Sequence, residues 1–477
     1  MIRIPRLRVI VAAIVAAACL CGASLLPALE AAAGARAQPA ADGRFEALAA
    51  LVTEDMATFH IPGVALGIVE NGTVTMRAFG VTNVDDPLPI TTHTVFPIAS
   101  ISKTIAATAM MRLVEQGRVD LHAPVRKYLP DFRVQDEGVS RDVTIWHLLT
   151  HTSGWEGQVA PPGAAWSYNN AGFSVAGRVI ETVTGHSINA AIRDLVFTPL
   201  GLEHAGTNPA EFLSAPRFAL GHFNRGNGPA IPQRPFSPST SLTAGGVGLC
   251  LTDLLTYARF HLGDGTAVNG ERVLTKATLD LMKTPQLRKQ ANDEDIGLPW
   301  HLRRVGGVLT AAHGGTLGGH ILLLELVPER NFAIGILTNA SGGWRLIQDV
   351  ERAALKSYEN ATFTMNQAIA HRGLVETLPM VEPLATQPDP APYLGRYLRP
   401  MNAVVVRAER GGVFVQVRPN AGEPPPEMPV RFYGPDRAVV TGGADQGQSI
   451  EFVRAPDGRV TWIRVTGRIA VRVEGGA

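Results

Sequence analysis

Segments that read as β-strand stand at both ends of the first 360 residues, and segments that read as helix stand between them. "GVALGIVENGTVTMRAFGV" gives two strands around Asn71-Gly72, a dipeptide that accepts the positive φ of a tight hairpin. Far downstream, "GGVLTAAHGGTLGGHILLLELVPERNFAIGILTN" gives three more, with turns near Gly314 and Glu329. Helical spacing marks 43–58 through Phe45, Leu48, Leu51 and Met56, and "GGWRLIQDVERAALKSYE" reads as a closing helix. Between 120 and 300, helices are broken by Pro/Gly loops. Strands so far apart must pair across the intervening chain. The pattern therefore predicts an α/β fold of the α+β type: one antiparallel sheet built from distant segments, flanked by helices, with an all-helical region inserted.

A chain of 477 residues is too long for one ordinary core. "PMVEPLATQPDPAP" carries five prolines and reads as a linker. Beyond it, "AVVVRAERGGVFVQV" and "SIEFVRAPDGRVTWIRV" alternate with period two around Gly411-Gly412 and Asp457-Gly458 turns. The expected layout is a main domain at 38–370, a Pro-rich linker at 371–392, and a small all-β, barrel-like domain at 393–477.

The first 37 residues read as an export leader. Arg3, Arg6 and Arg8 precede the apolar "VIVAAIVAAACLCGASLL", and Ala35-Arg36-Ala37 offers a small-x-small cleavage site. An uncleaved anchor is the alternative, and no other stretch is long and apolar enough to span a bilayer. The expected location is the periplasm or the exterior. Without the leader the chain keeps 39 basic against 41 acidic residues and shows no basic stripe, so nucleic acid is not an expected partner. Two of the three cysteines lie in the leader. Cys250 is then a lone thiol in apolar company, read as a small buried hydrophobe, and no disulfide framework exists.

Lysine is scarce, six residues against 37 arginines, yet "FPIASISKTIAATAMM" places Lys103 three residues after Ser100. On a helix those two positions share a face, with Cβ atoms about 5–6 Å apart. Serine is a weak nucleophile until a neighbour takes its proton. A lysine can do so once desolvation and the positive end of a helix favour its neutral form, whereas arginine stays protonated. Backbone N–H groups at the helix start suit the oxyanion that forms when serine attacks a carbonyl. The plain alternative is an N-cap serine beside a solvated lysine, but the apolar flanks argue that Lys103 enters a buried helix.

Such a pair needs partners. "WSYNNAGFSVAGRVIETV" holds Tyr168 and Asn170 just before an apolar helix; they read as a proton relay and a group to orient lysine and substrate, or else as a core tyrosine with an N-cap asparagine. "AAHGGTLGGH" places His313, Gly315 and Thr316 on a strand, where glycine permits close backbone approach and the Thr316 N–H offers a second oxyanion donor. A hairpin glycine pair beside an edge histidine is the alternative. His147 and His151 have i, i+4 spacing but no third ligand nearby, so no metal site is expected. "GFSVA" lacks the last glycine of a nucleophile elbow and sits in a helical run.

Ser-x-x-Lys, Tyr-x-Asn and His-x-Gly, in that order, resemble the serine β-lactamase and penicillin-binding superfamily. The similarity is greatest to its class C-like esterases and D-amino-acid peptidases. "LVEQGRVDLHAPVRKYLPDF", "VTIWHLLTHTSGW" and "AGGVGLCLTDLLTYARF" extend it over residues 43–360, and the β tail resembles the lipocalin-like domains of some members. The resemblance implies a β-lactamase-like fold with Ser100 as nucleophile, Lys103 as its base and Tyr168 as acid/base shuttle. It implies that Asn170, His313, Gly315 and Thr316 bind substrate, with no cofactor and no metal. Histidine stands where strong β-lactamases and D,D-peptidases usually have a permanent cation, so substrates with a carboxylate are less expected than esters, amides or amidated peptides. The expected activity is an exported serine hydrolase acting on a small ester, amide or short peptide. A D,D-peptidase or weak β-lactamase is the same-class alternative, and a non-catalytic binder or sensor of cell-wall fragments is the alternative of another class.

Overall fold

Eight strands form the main sheet in the computed structural model, in the spatial order Thr73–Gly80, Gly63–Glu70, Phe332–Thr338, His320–Val327, Val308–Leu317, His301–Val305, Asp295–Ile296, Leu287–Arg288. The described residues are 43–473 without 156–160, 225–227, 234–241, 289–293 and 361–380 and without positions 306, 401, 444 and 456. The leader read at 1–37 lies outside them. Among the described residues no helix is long and apolar enough to cross a membrane.

Every pairing in this sheet is antiparallel. The Gly63–Glu70 strand pairs with Phe332–Thr338, so the two ends of the domain meet in one ladder. Both strands are buried almost throughout because helices cover both faces. Gly67 and Gly335 are paired neighbours, and side chains at these positions would collide with Leu251, Leu254 and Leu255 of the Leu251–Leu262 helix. On the other face Phe332 packs its ring against Tyr358 of the Gly343–Glu359 helix, at 5.3 Å between centroids. Truncating a fully buried residue such as Leu254 to alanine is expected to cost about 2–5 kcal/mol.

The five strands and the flanking helices follow the pattern in the sequence, with one difference in a turn. The hairpin expected near Gly314 forms at Gly318-Gly319, which adopt φ of +53° and +89°. Gly314 and Gly315 stay inside the Val308–Leu317 strand instead. Gly315 is needed there for a different reason: an added Cβ would lie 2.5 Å from the Ile98 carbonyl oxygen.

Eight sequential strands between Gly395 and Val473 close into a barrel, the first, Gly395–Arg399, pairing with the last, Arg468–Val473. Closure leaves no free sheet edge. Alternating residues, among them Tyr397, Val404, Val415, Phe432, Phe452 and Ile463, fill its interior. The Pro-rich segment ahead of it lies along the barrel wall, where Leu384 N and Gln387 Nε2 donate to the Phe432 carbonyl at 2.8 and 3.1 Å. Main sheet and barrel belong to one compact unit, Ala47–Ala477.

Candidate active site

Two short strands set the position of Ser100. Phe96–Pro97 pairs with Gly248–Leu249, and the chain then makes a 3-10 turn, Ala99–Ile101, before the Ser102–Glu115 helix. Ala99 has φ of +48°, a conformation that costs a non-glycine residue about 1–3 kcal/mol and persists only where the surroundings enforce it. They do so here. Ile98 N donates to the Val247 carbonyl at 2.8 Å, Val247 N donates to Ser102 Oγ at 3.1 Å, and the backbone at Gly315 presses on Ile98. Ser100 remains half-buried, within reach of a substrate.

Lys103 is fully buried one turn into the helix, as its apolar flanks predict. Its Nζ donates to the Ala244 carbonyl at 2.6 Å and lies 3.2 Å from Ser100 Oγ. Nζ also sits 4.7 Å from the centroid of the Tyr168 ring and 5.6 Å from that of Phe173. Ser100 and Lys103 are thus brought together with Tyr168, which lies 65 residues beyond Lys103 in the chain. Such an arrangement can move a proton from serine through lysine toward a leaving group.

Tyr168 precedes the Asn170–Thr184 helix. Its N-cap is Asn169, whose Oδ1 accepts from Gly172 N at 2.7 Å; Asn170 is the first helical residue and half-buried. Asn169 also ties Tyr168 to the His-Thr-Ser-Gly loop: its N–H donates to His151 Nδ1 at 2.9 Å and its Nδ2 to Ser153 Oγ at 2.8 Å. His151, at φ of +58°, stacks on the Tyr168 ring at 4.3 Å. His147 caps its own helix by accepting from Thr144 N at 3.1 Å. Both histidines with helical spacing are therefore held by hydrogen bonds within the fold.

The third segment closes the pocket. His313 is buried, its Nδ1 donates to the Gly314 carbonyl at 2.8 Å, and its ring lies 6.4 Å from that of Tyr168. Burial, with His301 and Lys103 close by, pushes His313 well below the ordinary histidine range and so holds it neutral. Burial, with Lys103 and His301 next, does the same to His151. Thr316 is exposed at the end of the strand.

The family model described as Beta-lactamase matches residues 48–357 of the chain. The chain belongs to the β-lactamase family. Penicillin-binding protein 4 of Amycolatopsis lactamdurans is 33% identical over 374 residues, which are 71% of this chain and 94% of that protein. Among solved structures, SurE with D-Leu aligns at a TM-score of 0.70 with 24% identity, covering 90% of this chain and 99% of that one. The octameric penicillin-binding protein homologue from Pyrococcus abyssi aligns at 0.60 with 21% identity, covering 90% of this chain and all of that one. Both cover too much of the chain to leave out the barrel. This β-lactamase-family chain thereby shares its fold with SurE and with the Pyrococcus abyssi penicillin-binding protein homologue.

One part of the site carries no motif. The hairpin turn between the last two barrel strands, Val465–Arg468, reaches the segment that carries Tyr168. Tyr168 N donates to the Gly467 carbonyl at 2.9 Å, and Ile469 N donates to Ser167 Oγ at 3.2 Å. Arg464 Nε and Nη2 donate to the Trp166 carbonyl at 3.2 and 3.0 Å, while its Nη1 pairs with Glu451 in a buried ion pair. The half-buried Arg468 guanidinium lies 5.9 Å from the Tyr168 ring centroid. An arginine of the barrel domain thus stands beside Tyr168. The signal in the sequence is slight: Gly467 with φ of +72° marks a hairpin, but nothing marks its target.

Proposed function

We propose that the chain is a serine hydrolase that cleaves an ester or amide through an acyl-enzyme on Ser100. Lys103 takes the hydroxyl proton as Ser100 Oγ bonds to the carbonyl carbon. The N–H groups of Ser100 and Thr316 hold the oxyanion. Tyr168 passes a proton to the leaving group as the old bond breaks, and water then reverses the sequence to free the acid. The observation that carries this reading is the fully buried Lys103, 3.2 Å from Ser100 Oγ and 4.7 Å from the Tyr168 ring. A non-catalytic binder has no need of that arrangement.

Arg468 favours a narrower reading, a peptidase or weak β-lactamase whose substrate carries a carboxylate. The guanidinium stands on the Tyr168 side, where the leaving group departs, so it suits a leaving group ending in a free carboxylate. Arg468→Ala is expected to raise KM for such substrates about 10–100-fold, the worth of a charged hydrogen bond, and to leave an uncharged ester within a few-fold. An equal effect on both would remove Arg468 from substrate binding. The activity itself is tested with short-chain esters, D-amino-acid amides, free D-dipeptides and a chromogenic cephalosporin, wild type against Ser100→Ala. No Ser100-dependent turnover of any of them would defeat the hydrolase reading. Export belongs to the same proposal: secreted or periplasmic material is expected to begin at Gln38, and an intact Met1 on mature protein would contradict it.

A further inference from the structure

Three chain segments converge on the first turn of the Leu251–Leu262 helix, among residues that belong to none of the catalytic motifs. Cys250 is the N-cap, fully buried, with Sγ accepting from Asp253 N at 3.5 Å. Thr252 donates to the Thr92 carbonyl through both N and Oγ1, each at 3.2 Å, which fixes the next residue, His93, over the turn. His204 N donates to Asp253 Oδ2 at 2.8 Å, which fixes the third segment. The His93 and His204 rings then face one another at 4.8 Å, tilted by 34°. One nitrogen from each ring and the Cys250 sulfur all lie within 4.8 Å of one another.

We propose that His93, His204 and Cys250 form a binding site for a divalent transition-metal ion of the zinc class. Two imidazoles and a thiolate select zinc, cobalt, nickel or copper over magnesium and calcium, which take oxygen ligands. Around tetrahedral zinc, with bonds of about 2.0–2.3 Å, ligand atoms stand about 3.3–3.8 Å apart. Contraction from the present spacing requires shifts of about 1 Å, and both imidazoles are exposed and able to turn. Asp253, buried and 3.8 Å from His204 Nδ1, adds a carboxylate that balances charge and can orient the ring. Burial and the neighbouring Asp253 carboxylate push the Cys250 thiol up to about 12, so the thiolate that coordination requires is formed by the ion itself as it binds. Binding replaces the thiol proton with the metal–sulfur bond and releases that proton to solvent.

The site has a structural consequence. His93 precedes the Phe96–Pro97 strand, and Cys250 follows the Gly248–Leu249 strand paired with it. A bound ion would clamp the ends of the two strands that lead into Ser100 on one side and away from Ala244 on the other. Occupancy therefore raises thermal stability in proportion to the logarithm of free metal.

The test uses full-length protein stripped with a chelator and titrated with Zn²⁺ and with Co²⁺. The expected result is one ion per chain at micromolar affinity or tighter, a rise in Tm, and a thiolate-to-cobalt charge-transfer band. Cys250→Ser removes the band. His93→Ala and His204→Ala, both at exposed positions, each weaken binding at least about tenfold. The proposal is overturned if the His93→Ala/His204→Ala double variant binds as tightly as wild type, which would put the ion elsewhere, or if wild type takes up no metal below about 100 μM.

Discussion

Lys103→Arg is expected to lower kcat/KM by about a hundredfold to ten-thousandfold, the usual worth of a general base, although it keeps the positive charge. Lys103 is fully buried and contacts Ser100 Oγ, the Ala244 carbonyl and the faces of Tyr168 and Phe173. The Ala244 carbonyl and the two ring faces hold the amine in place, and burial in general favours the neutral form that can accept a proton. A guanidinium stays protonated at any pH the protein survives. Because arginine is also larger, the result needs a companion. Lys103→Ala should be equally slow but regain part of its rate with a small amine in solution, as the cavity admits a replacement base. Retained activity in Lys103→Arg, or no amine response in Lys103→Ala while the fold is intact, would mean that Lys103 is a packing residue.

Acidification is the second large effect. His151, His261 and His313 are buried, and burial is the main cause that pushes each well below the ordinary value of 6.5. Each stays neutral in the folded chain while its unfolded counterpart takes up a proton as the pH falls through 6.5. The unfolded state then binds more protons, so the stability present above pH 6.5 is lost progressively below it. His147, His222 and His320 are shifted in the same direction. Glu325 and Glu351, raised mainly by burial, act the other way because they hold protons that the unfolded chain has released, and Asp55, Asp253 and Asp349, also raised mainly by burial, act with them. Six shifted histidines stand against these five raised carboxyls, and three of the histidines are shifted well below the ordinary value. The net loss is about 1.4 kcal/mol per pH unit for each excess proton, and calorimetry at pH 8, 7, 6 and 5 should show Tm falling below 6.5. A flat Tm across that range would show that these histidines titrate normally in the folded chain.

What the sequence revealed follows from the reach of each signal. Ser100 and Lys103 are legible because one helical turn fixes their geometry. The strand pattern is legible because alternation and Asn-Gly turns are local, and it led correctly to a sheet joining both ends of the domain. The glycines at 314–315 were open to two readings, hairpin or close approach, and only the packing of Ile98 on Gly315 separates them. The alternative reading of Asn170 as the helix cap does not hold: the hydrogen bond from Gly172 N goes to Asn169, and Asn170 is the first helical residue. Arg468 was out of reach. Its place over Tyr168 depends on how a barrel docks some 300 residues away in the chain, and no local pattern encodes that. Cys250 is the small buried residue its flanks suggest, but the loops that carry His93 and His204 give it neighbours that spacing does not show.

The barrel also changes the expected chemistry. Read from His313 alone, the site lacks a cation for a substrate carboxylate. We propose that Arg468, beside Tyr168, supplies one from the barrel domain.

The central claim is that Ser100 is the nucleophile. Peptide mapping by mass spectrometry after treatment with a fluorophosphonate tests it most directly. The account predicts one adduct, on the peptide containing Ser100, absent from Ser100→Ala and strongly slowed in Lys103→Arg. An adduct on another residue, or undiminished labelling of Ser100→Ala, would contradict it.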